Sequence, residues 1–353
     1  MNDFDVAIIG GGPAGTAAAL TLLRYSKLRP VVIELSNYEQ WRVGETLAPG
    51  VFPLLEYLGA SEIVVEQAQQ RAYGTSAAWG SNDVVSRDFL FVGAGDAWHL
   101  DRVRFDAALA RLVASRGGTV ITNAFVERET RNGETWTLAL NDGRALTAKF
   151  VIDASGRHSA FARRQGARVD ATDTLTGIVG IFDAAGEGDS STLVEAAPHG
   201  WWYSARLPEG KLVVAFMSDV DIVRAHQLHD RDKWTLLLAQ TAATRARIAS
   251  ASLTRDPVTC PAHSQIVAPV AGEGWLAAGD AALGFDPLSS MGIGYALASG
   301  IQAARVAANP TPVKLEAYAA DVQRHYDSYL SRKRAYYALE QRWPDSVFWA
   351  RRR

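Results

Sequence analysis

The chain has 353 residues, 48% of them hydrophobic and 21% charged, with a formal net charge of −2. A length of about two domains and an even charge balance suit a globular enzyme with a sizeable core and exclude a general pull toward nucleic acid. The one cysteine, Cys260, excludes an internal disulfide framework, and without a membrane-length apolar run or a signal-peptide pattern a cytoplasmic location is expected.

Asp5-Val6-Ala7-Ile8-Ile9 is a short apolar run rich in β-branched residues and reads as a buried strand. It enters Gly10-Gly11-Gly12-Pro13-Ala14-Gly15, a G-x-G-x-x-G turn, and residues 16–25, dense in Ala and Leu, read as the helix behind it. Pro30-Val31-Val32-Ile33 is a second strand and ends at Glu34. Strand, glycine turn, helix, strand and acid at this spacing describe a dinucleotide-binding βαβ unit. Gly10 makes the tight turn, Gly12 lets the backbone approach a pyrophosphate, and Gly15 lets helix and strand pack closely. The free N–H groups and dipole of the helix hold the pyrophosphate, and Glu34 accepts from a ribose.

Next, Trp41-Arg42-Val43-Gly44-Glu45-Thr46-Leu47-Ala48-Pro49-Gly50 reads as an ordered turn, followed by a short helix over 51–58 that Gly59 ends. Residues 71–98 alternate aromatic and polar positions and predict strands. Asp101 or Asp106 stands near the start of a helix running to Ser115, as a cap or dipole partner. Val120-Ile121-Thr122, Trp136-Thr137-Leu138-Ala139-Leu140 and Phe150-Val151-Ile152 alternate around the turn signals Asn132-Gly133 and Asp142-Gly143. They predict a three-stranded antiparallel meander feeding a strand that breaks at Ala154-Ser155-Gly156.

Residues 165–268 hold strand patterns over 177–182, 200–205 and 212–218, a polar helix near 230–241 and no second glycine fingerprint. They read as a separate, largely antiparallel substrate domain. Gly274-Trp275-Leu276-Ala277-Ala278-Gly279-Asp280 returns to a buried strand, followed by a loop over 285–291 and a small-residue helix over 292–308 that Pro310 and Pro312 close. The rest reads as helical. After Ser331 it carries Arg332, Lys333, Arg334, Arg342 and Arg351-Arg352-Arg353 among Tyr336, Tyr337, Trp343 and Trp349. This tail is either a last helix packing its aromatics on the body or a docking surface for an acidic partner.

These pieces, in this order, resemble the FAD-dependent monooxygenases of the p-hydroxybenzoate hydroxylase type. The resemblance implies an α/β fold: a Rossmann-like FAD-binding domain with an inserted antiparallel sheet (α+β) substrate domain. The expected boundaries are 1–70, 96–164 and 270–310 for the FAD domain, 71–95 and 165–269 for the substrate domain, and 311–353 for a basic helical segment. Gly10, Gly12, Pro13, Ala14, Gly15, Glu34 and Leu35 then hold the ADP part, and Gly279-Asp280 the ribityl and pyrophosphate parts. Arg102 matches the family's helix arginine near the pyrophosphate. The helix beginning at Gly292 and Ile293 presents N–H groups toward the pyrimidine edge of the flavin. Where the family often has Asp-Gly, this chain has Ser155-Gly156, with Ser159 and Arg163 keeping the following spacing.

Val43-Gly44-Glu45-Thr46-Leu47 and Asp286-Pro287-Leu288-Ser289-Ser290-Met291-Gly292-Ile293 resemble the flavin-dependent tryptophan halogenase branch. This implies that Arg42, Gly44, Glu45, Thr46, Pro287 and Ser290 flank the flavin. Halogenases carry a lysine two residues before a glycine, and Gln70-Arg71-Ala72-Tyr73-Gly74 has Ala72 there. Their Gly-Trp-x-Trp-x-Ile-Pro motif is replaced by Gly200-Trp201-Trp202-Tyr203-Ser204-Ala205-Arg206-Leu207-Pro208. The pattern, with Trp98-His99-Leu100-Asp101-Arg102, is more similar to non-halogenating relatives that hydroxylate tryptophan, some on a partner protein during maturation of a tryptophan-derived quinone cofactor.

The resemblance implies hydroxylation of an electron-rich, tryptophan-like ring through a flavin C4a-hydroperoxide, with FAD held permanently, O2 as oxidant and NAD(P)H as a transient reductant. The substrate is either a small aromatic molecule or a protein or peptide carrying tryptophan. Glu45 is a candidate for proton transfer or a cap for the helix from Val51, and His99 and His263 are candidate bases. Trp201, Trp202, Tyr203 and Tyr73 are candidates for an aromatic substrate pocket, and strand alternation sends one of two neighbours into the core. No metal-ligand set, nucleic-acid partner or membrane span is assigned. The alternatives are a flavin reductase or dehydrogenase without oxygen transfer, a halogenase, and a non-enzymatic flavoprotein chaperone.

Overall fold

The computed structural model describes residues 2–66, 69–89, 97–184 and 188–353. Asn2–Ile9 is the middle of a parallel array, between Pro30–Ile33 and Ala145–Asp153. Thr119–Ile121 extends the array on one side and Trp275–Ala277 on the other. Ile8 pairs in register with Val32 and Ile152, and all three are fully buried, as expected for a parallel sheet covered on both faces. The helices Pro13–Tyr25 and Gly292–Ala307 pack on each other through small side chains, among them Ala14, Ala17 and Gly300. Ile9, Ile33, Asp153 and Ala277 are the last paired residues of their strands and lie side by side. The loops that follow them therefore gather at one end of the sheet, where open α/β folds bind their ligands.

The predicted meander exists with a different first strand. Val126–Asn132, Thr135–Leu140 and Ala145–Asp153 form it, turning at Gly133 and Gly143, both with positive φ. The Val120-Ile121 run is instead the parallel edge of the main sheet. Val126–Asn132 carries mostly charged, exposed residues, so apolar alternation does not reveal it.

A seven-stranded sheet covers the loop end. Its order is Ser252–Pro261, Leu175–Asp183, Lys211–Asp219, Gly200–Arg206, Thr192–Ala197, Gly74–Ala78 and Val85–Asp88, antiparallel except where Gly74–Ala78 meets Thr192–Ala197. The strands predicted over 71–98 are thus split. Gln70–Ala72 and Ala97–His99 belong to a small sheet with Thr46–Leu47, and residues 90–96 lie outside the described residues.

The C-terminal tail packs onto the body. After the helix Pro312–Ala338 the chain turns back so that Tyr337, Phe348 and Trp349 are buried with Trp201 in one cluster. Arg352 grips Asp219 through both oxygens at 2.5 and 3.0 Å, and Arg351 bridges Asp219 and Asp221. Among the described residues no helix is long and apolar enough to cross a membrane.

Candidate active site

The glycine turn has the geometry its sequence demands. Gly10 has φ +107°, and a Cβ there would lie 2.2 Å from the Ala154 carbonyl oxygen; a Cβ on Gly15 would lie 1.9 Å from Gly10 O. Both positions tolerate only glycine. Gly12 differs: nothing lies within 4 Å of its would-be Cβ, so it faces open space. It is also the N-cap of Pro13–Tyr25, with no side-chain cap among the described residues, which leaves first-turn N–H groups for an anion. Glu34 Oε2 accepts from Gly11 N–H at 2.6 Å, and Oε1 accepts from Arg42 and Ser36 Oγ, each at 2.6 Å. Burial pushes this carboxyl up, but Ser36, the Gly11 amide and the Arg42 charge outweigh it and hold the group ionised below its ordinary range.

A cavity of about 950 Å³ runs from this turn to the seven-stranded sheet. Gly10, Gly12, Pro13, Ala14, Glu34, Leu35, Arg42, Gly44, Glu45, Thr46, Arg102, Asp280, Pro287, Ser290, Gly292 and Ile293 all line it. Gly15 and Gly279 stand behind the wall. This size is at the upper end of ligand cavities.

Arg102 anchors one wall. Asp101 caps its helix by accepting from Arg104 N–H, and the Arg102 guanidinium then holds Asp106 bidentately at 2.8 and 3.0 Å. Its remaining N–H groups reach the carbonyls of Val43 and Gly44 at 3.0 and 3.1 Å, which fixes the loop that carries Glu45. Thr46 Oγ1 meets Tyr203 OH at 2.8 Å and ties this loop to the seven-stranded sheet.

Glu45 is 5% exposed, and its Oε1 has no hydrogen-bond partner among the described residues. Burial pushes its carboxyl up to about 7, against its own backbone amide and the Arg102 charge. A carboxyl poised there exchanges a proton readily at neutral pH. The capping role is overturned: the turn Pro49–Val51 and the helix Phe52–Leu58 begin without side-chain caps among the described residues.

On the opposite wall Asp280 faces the cavity with about a third of its side chain (34%) open, 3.3 Å from Arg157 Nε. Burial raises its carboxyl, with Arg157 and Arg102 opposing. Arg157 also donates to the carbonyls of Phe285, at 2.7 Å, and His263. Asp286 caps the turn Pro287–Ser289, and Gly292–Ala307 starts behind it without a side-chain cap among the described residues, its N-terminal amides at the cavity wall.

The open cradle at Gly12, two uncapped helix starts, the orphaned Glu45 oxygen and the Asp280 carboxylate fit flavin adenine dinucleotide: a pyrophosphate at one end, ribityl hydroxyls in the middle, a flavin ring at the other. The floor beyond is apolar. Gly177, Val179, Val213, Ala215 and Met217 occupy alternate positions of two paired strands, with Tyr203, Cys260 and Ala262 beside them.

Several expected residues lie elsewhere. Trp201 and Trp202 are fully buried core and line no part of the cavity; Trp201 packs toward the tail, and Trp202 against Phe216 and Trp234. Of that trio only Tyr203 reaches the cavity. Tyr73 is 59% exposed and apart from it. His99 is buried with Nε2 2.9 Å from Thr192 Oγ1, burial lowers its pKa to about 4, and it lines no part of the cavity. His263 pairs with Gln265 Oε1 at 2.8 Å and is likewise not a wall residue. Sequence reasoning misses Arg157 and the small-residue floor. Arg157 sits in the Ser155-Gly156 run, which is the available signal; the floor looks like any strand core.

Over residues 3–309 the chain matches the protein family described as an FAD binding domain. It is 33% identical over 363 residues to the putative FAD-dependent oxidoreductase LodB of Marinomonas mediterranea, covering 100% of this chain and 97% of that protein. The fold superposes on the myxobacterial chondrochloren halogenase CndH with a TM-score of 0.90 at 22% identity, covering 100% of this chain and 86% of the halogenase. It superposes on the peptidyl tryptophan dihydroxylase QhpG, essential for tryptophylquinone cofactor biogenesis, with a TM-score of 0.80 at 23% identity, covering 99% and 78%. The chain therefore belongs to the FAD binding domain family as an FAD-dependent oxidoreductase, and its relatives and structural neighbours include tryptophan and other flavin-dependent halogenases.

Proposed function

We propose that this oxidoreductase is a monooxygenase that hydroxylates an electron-rich aromatic ring, tryptophan carried on a peptide or partner protein, using O2 and a transiently bound NAD(P)H. One oxygen atom enters the ring as hydroxyl, the other leaves as water, and NAD(P)H supplies the two electrons. The observation that carries the reading is the cavity wall: it joins a flavin-sized cleft to an apolar floor, holds the protonatable Glu45, and has no lysine among its described residues. Ala72, where halogenases have lysine, is a buried strand residue. The substrate class is supported by the likeness to the peptidyl tryptophan dihydroxylase.

Bound FAD supplies two-electron redox and oxygen chemistry. The protein's part is positional. Gly12 and the start of Pro13–Tyr25 bind the pyrophosphate, and Glu34 and Asp280 accept from hydroxyls. Arg102 holds the Glu45 loop in place. The N-terminal amides at Gly292 and Ile293 stabilise negative charge at their end of the cleft. The Gly177 and Ala215 floor excludes water and admits a flat ring, while Glu45 Oε1 takes up or releases a proton. The expected domain boundaries and the transient reductant belong to this reading.

The test is FAD-loaded protein with NAD(P)H, O2 and tryptophan-containing peptides. Gain of oxygen by the peptide, unaffected by chloride or bromide, supports it. A halide-dependent product points to halogenation, and substrate reduction without oxygen uptake points to a reductase.

A further inference from the structure

Tyr329, Lys333 and Tyr337 stand four residues apart on the long helix Pro312–Ala338 and so share one stripe of its surface. All three converge on one residue of the cavity wall, Asp286. Tyr329 OH accepts from Asp286 N–H at 2.8 Å and bonds Ser264 Oγ at 2.6 Å. Lys333 Nζ stands 3.5 Å from Asp286 Oδ2 while it donates to Asp173 and, at 2.8 Å, to Ser264 Oγ. Tyr337 OH donates to Asp286 Oδ2 at 2.8 Å and accepts from Trp201 Nε1 at 2.9 Å. The other carboxylate oxygen, Oδ1, caps Leu288 N–H at 2.9 Å and sets the turn Pro287–Ser289.

Asp286, Tyr337 and Trp201 are all buried. A continuous, solvent-free chain of hydrogen bonds thus runs from the strand Gly200–Arg206, through the long helix Pro312–Ala338, to the loop bearing Pro287 and Ser290. In a low-dielectric interior such chains are strong, and loss of one link leaves its neighbours unpaired.

We propose that Tyr337 is a positioning residue: through Asp286 it fixes the Pro287–Ser290 loop against the flavin and couples that loop to Trp201 on the seven-stranded sheet. This rests on flavin binding in the cavity and is independent of which substrate is oxidised. A carboxylate beside a reducible ring disfavours added negative charge, so the hydrogen bond from Tyr337 tunes the flavin as well as the loop.

The test uses FAD-loaded Tyr337→Phe, Asp286→Asn and the double variant. The phenylalanine ring keeps the packing against Trp79, Phe348 and Trp349. The readouts are the visible circular dichroism of the bound flavin, its midpoint potential and the FAD dissociation constant. Asp286→Asn is expected to raise the potential. Tyr337→Phe is expected to shift both potential and dichroism while FAD affinity stays within about threefold, and the double variant to match Asp286→Asn alone, as coupled residues do. Flavin spectra and potential unchanged in Tyr337→Phe, or shifts that simply add, overturn the proposal. If Tyr337→Phe does not retain FAD, Trp201→Phe removes the donor at the other end, and dichroism identical to the unaltered protein's then overturns the proposal equally. These readouts need no turnover, so they stand apart from any failure of the hydroxylase reading.

Discussion

Replacing Glu45 with glutamine should make the protein more stable at alkaline pH and nearly inactive. In the unfolded chain this carboxyl titrates at its ordinary 4.5, and in the fold burial carries it to about 7. Between those values the native state binds more protons than the unfolded state, so stability falls as pH rises. The penalty is about 1 kcal/mol at pH 5 and about 3 kcal/mol at pH 8, from linkage at 1.36 kcal/mol per pKa unit. Glutamine keeps the shape and removes the charge, at a cost of about 1 kcal/mol for amide protons without partners. Relative to the unaltered protein, Glu45→Gln should therefore gain about 2 kcal/mol in unfolding free energy between pH 5 and pH 8. Urea unfolding of the FAD-free proteins at both pH values measures this. Turnover of the variant should fall about a hundredfold or more, as for loss of a general acid or base. A stability difference that is flat with pH, or that falls toward pH 8, would refute the assignment of a buried, titrating Glu45.

Gly12→Ala should leave the melting temperature unchanged, since its Cβ meets nothing, and weaken FAD binding about tenfold or more by flavin fluorescence titration. Gly15→Ala should instead abolish folding, because its Cβ would lie 1.9 Å from Gly10 O. Arg102→Ala leaves buried Asp106 with only the longer 3.7 Å contact to Arg42 and should cost about 2–3 kcal/mol in urea unfolding. Lysine should not rescue it, because it has no planar fork for two carboxylate oxygens and two carbonyls. Deleting residues 339–353 removes buried Phe348 and Trp349 and the Arg352 grip on Asp219, so aggregation or loss of FAD is expected in a melting assay; a stable, FAD-loaded truncation would contradict the packing of the tail as a structural element.

The βαβ unit was legible because its signals are local: period, glycine spacing and acid lie within thirty-five residues. The same holds for Asp101, whose cap is three residues from its donor. The rest of the cavity lining was legible only through motif likeness, at Glu45, Asp280 and Pro287. Trp201 and Trp202 misled because alternation fixes that neighbours face opposite ways, while both faces of this sheet are covered, one by the tail and one by the helix holding Trp234. His99 and His263 have partners remote or unremarkable in sequence, Thr192 and Gln265. Arg351 and Arg352 look like free cations until the fold brings Asp219 to them across more than a hundred residues. Long-range pairing of that kind leaves no local trace.

The most direct test is isotopic. FAD-loaded protein, NAD(P)H and a tryptophan-bearing peptide or partner are incubated under labelled oxygen, 18O2, and the product is analysed by mass spectrometry. A monooxygenase places the label on the aromatic ring, with no label when 18O is supplied only as water. An oxidised or reduced product without label from O2, or a ring that gains halogen instead, would contradict it.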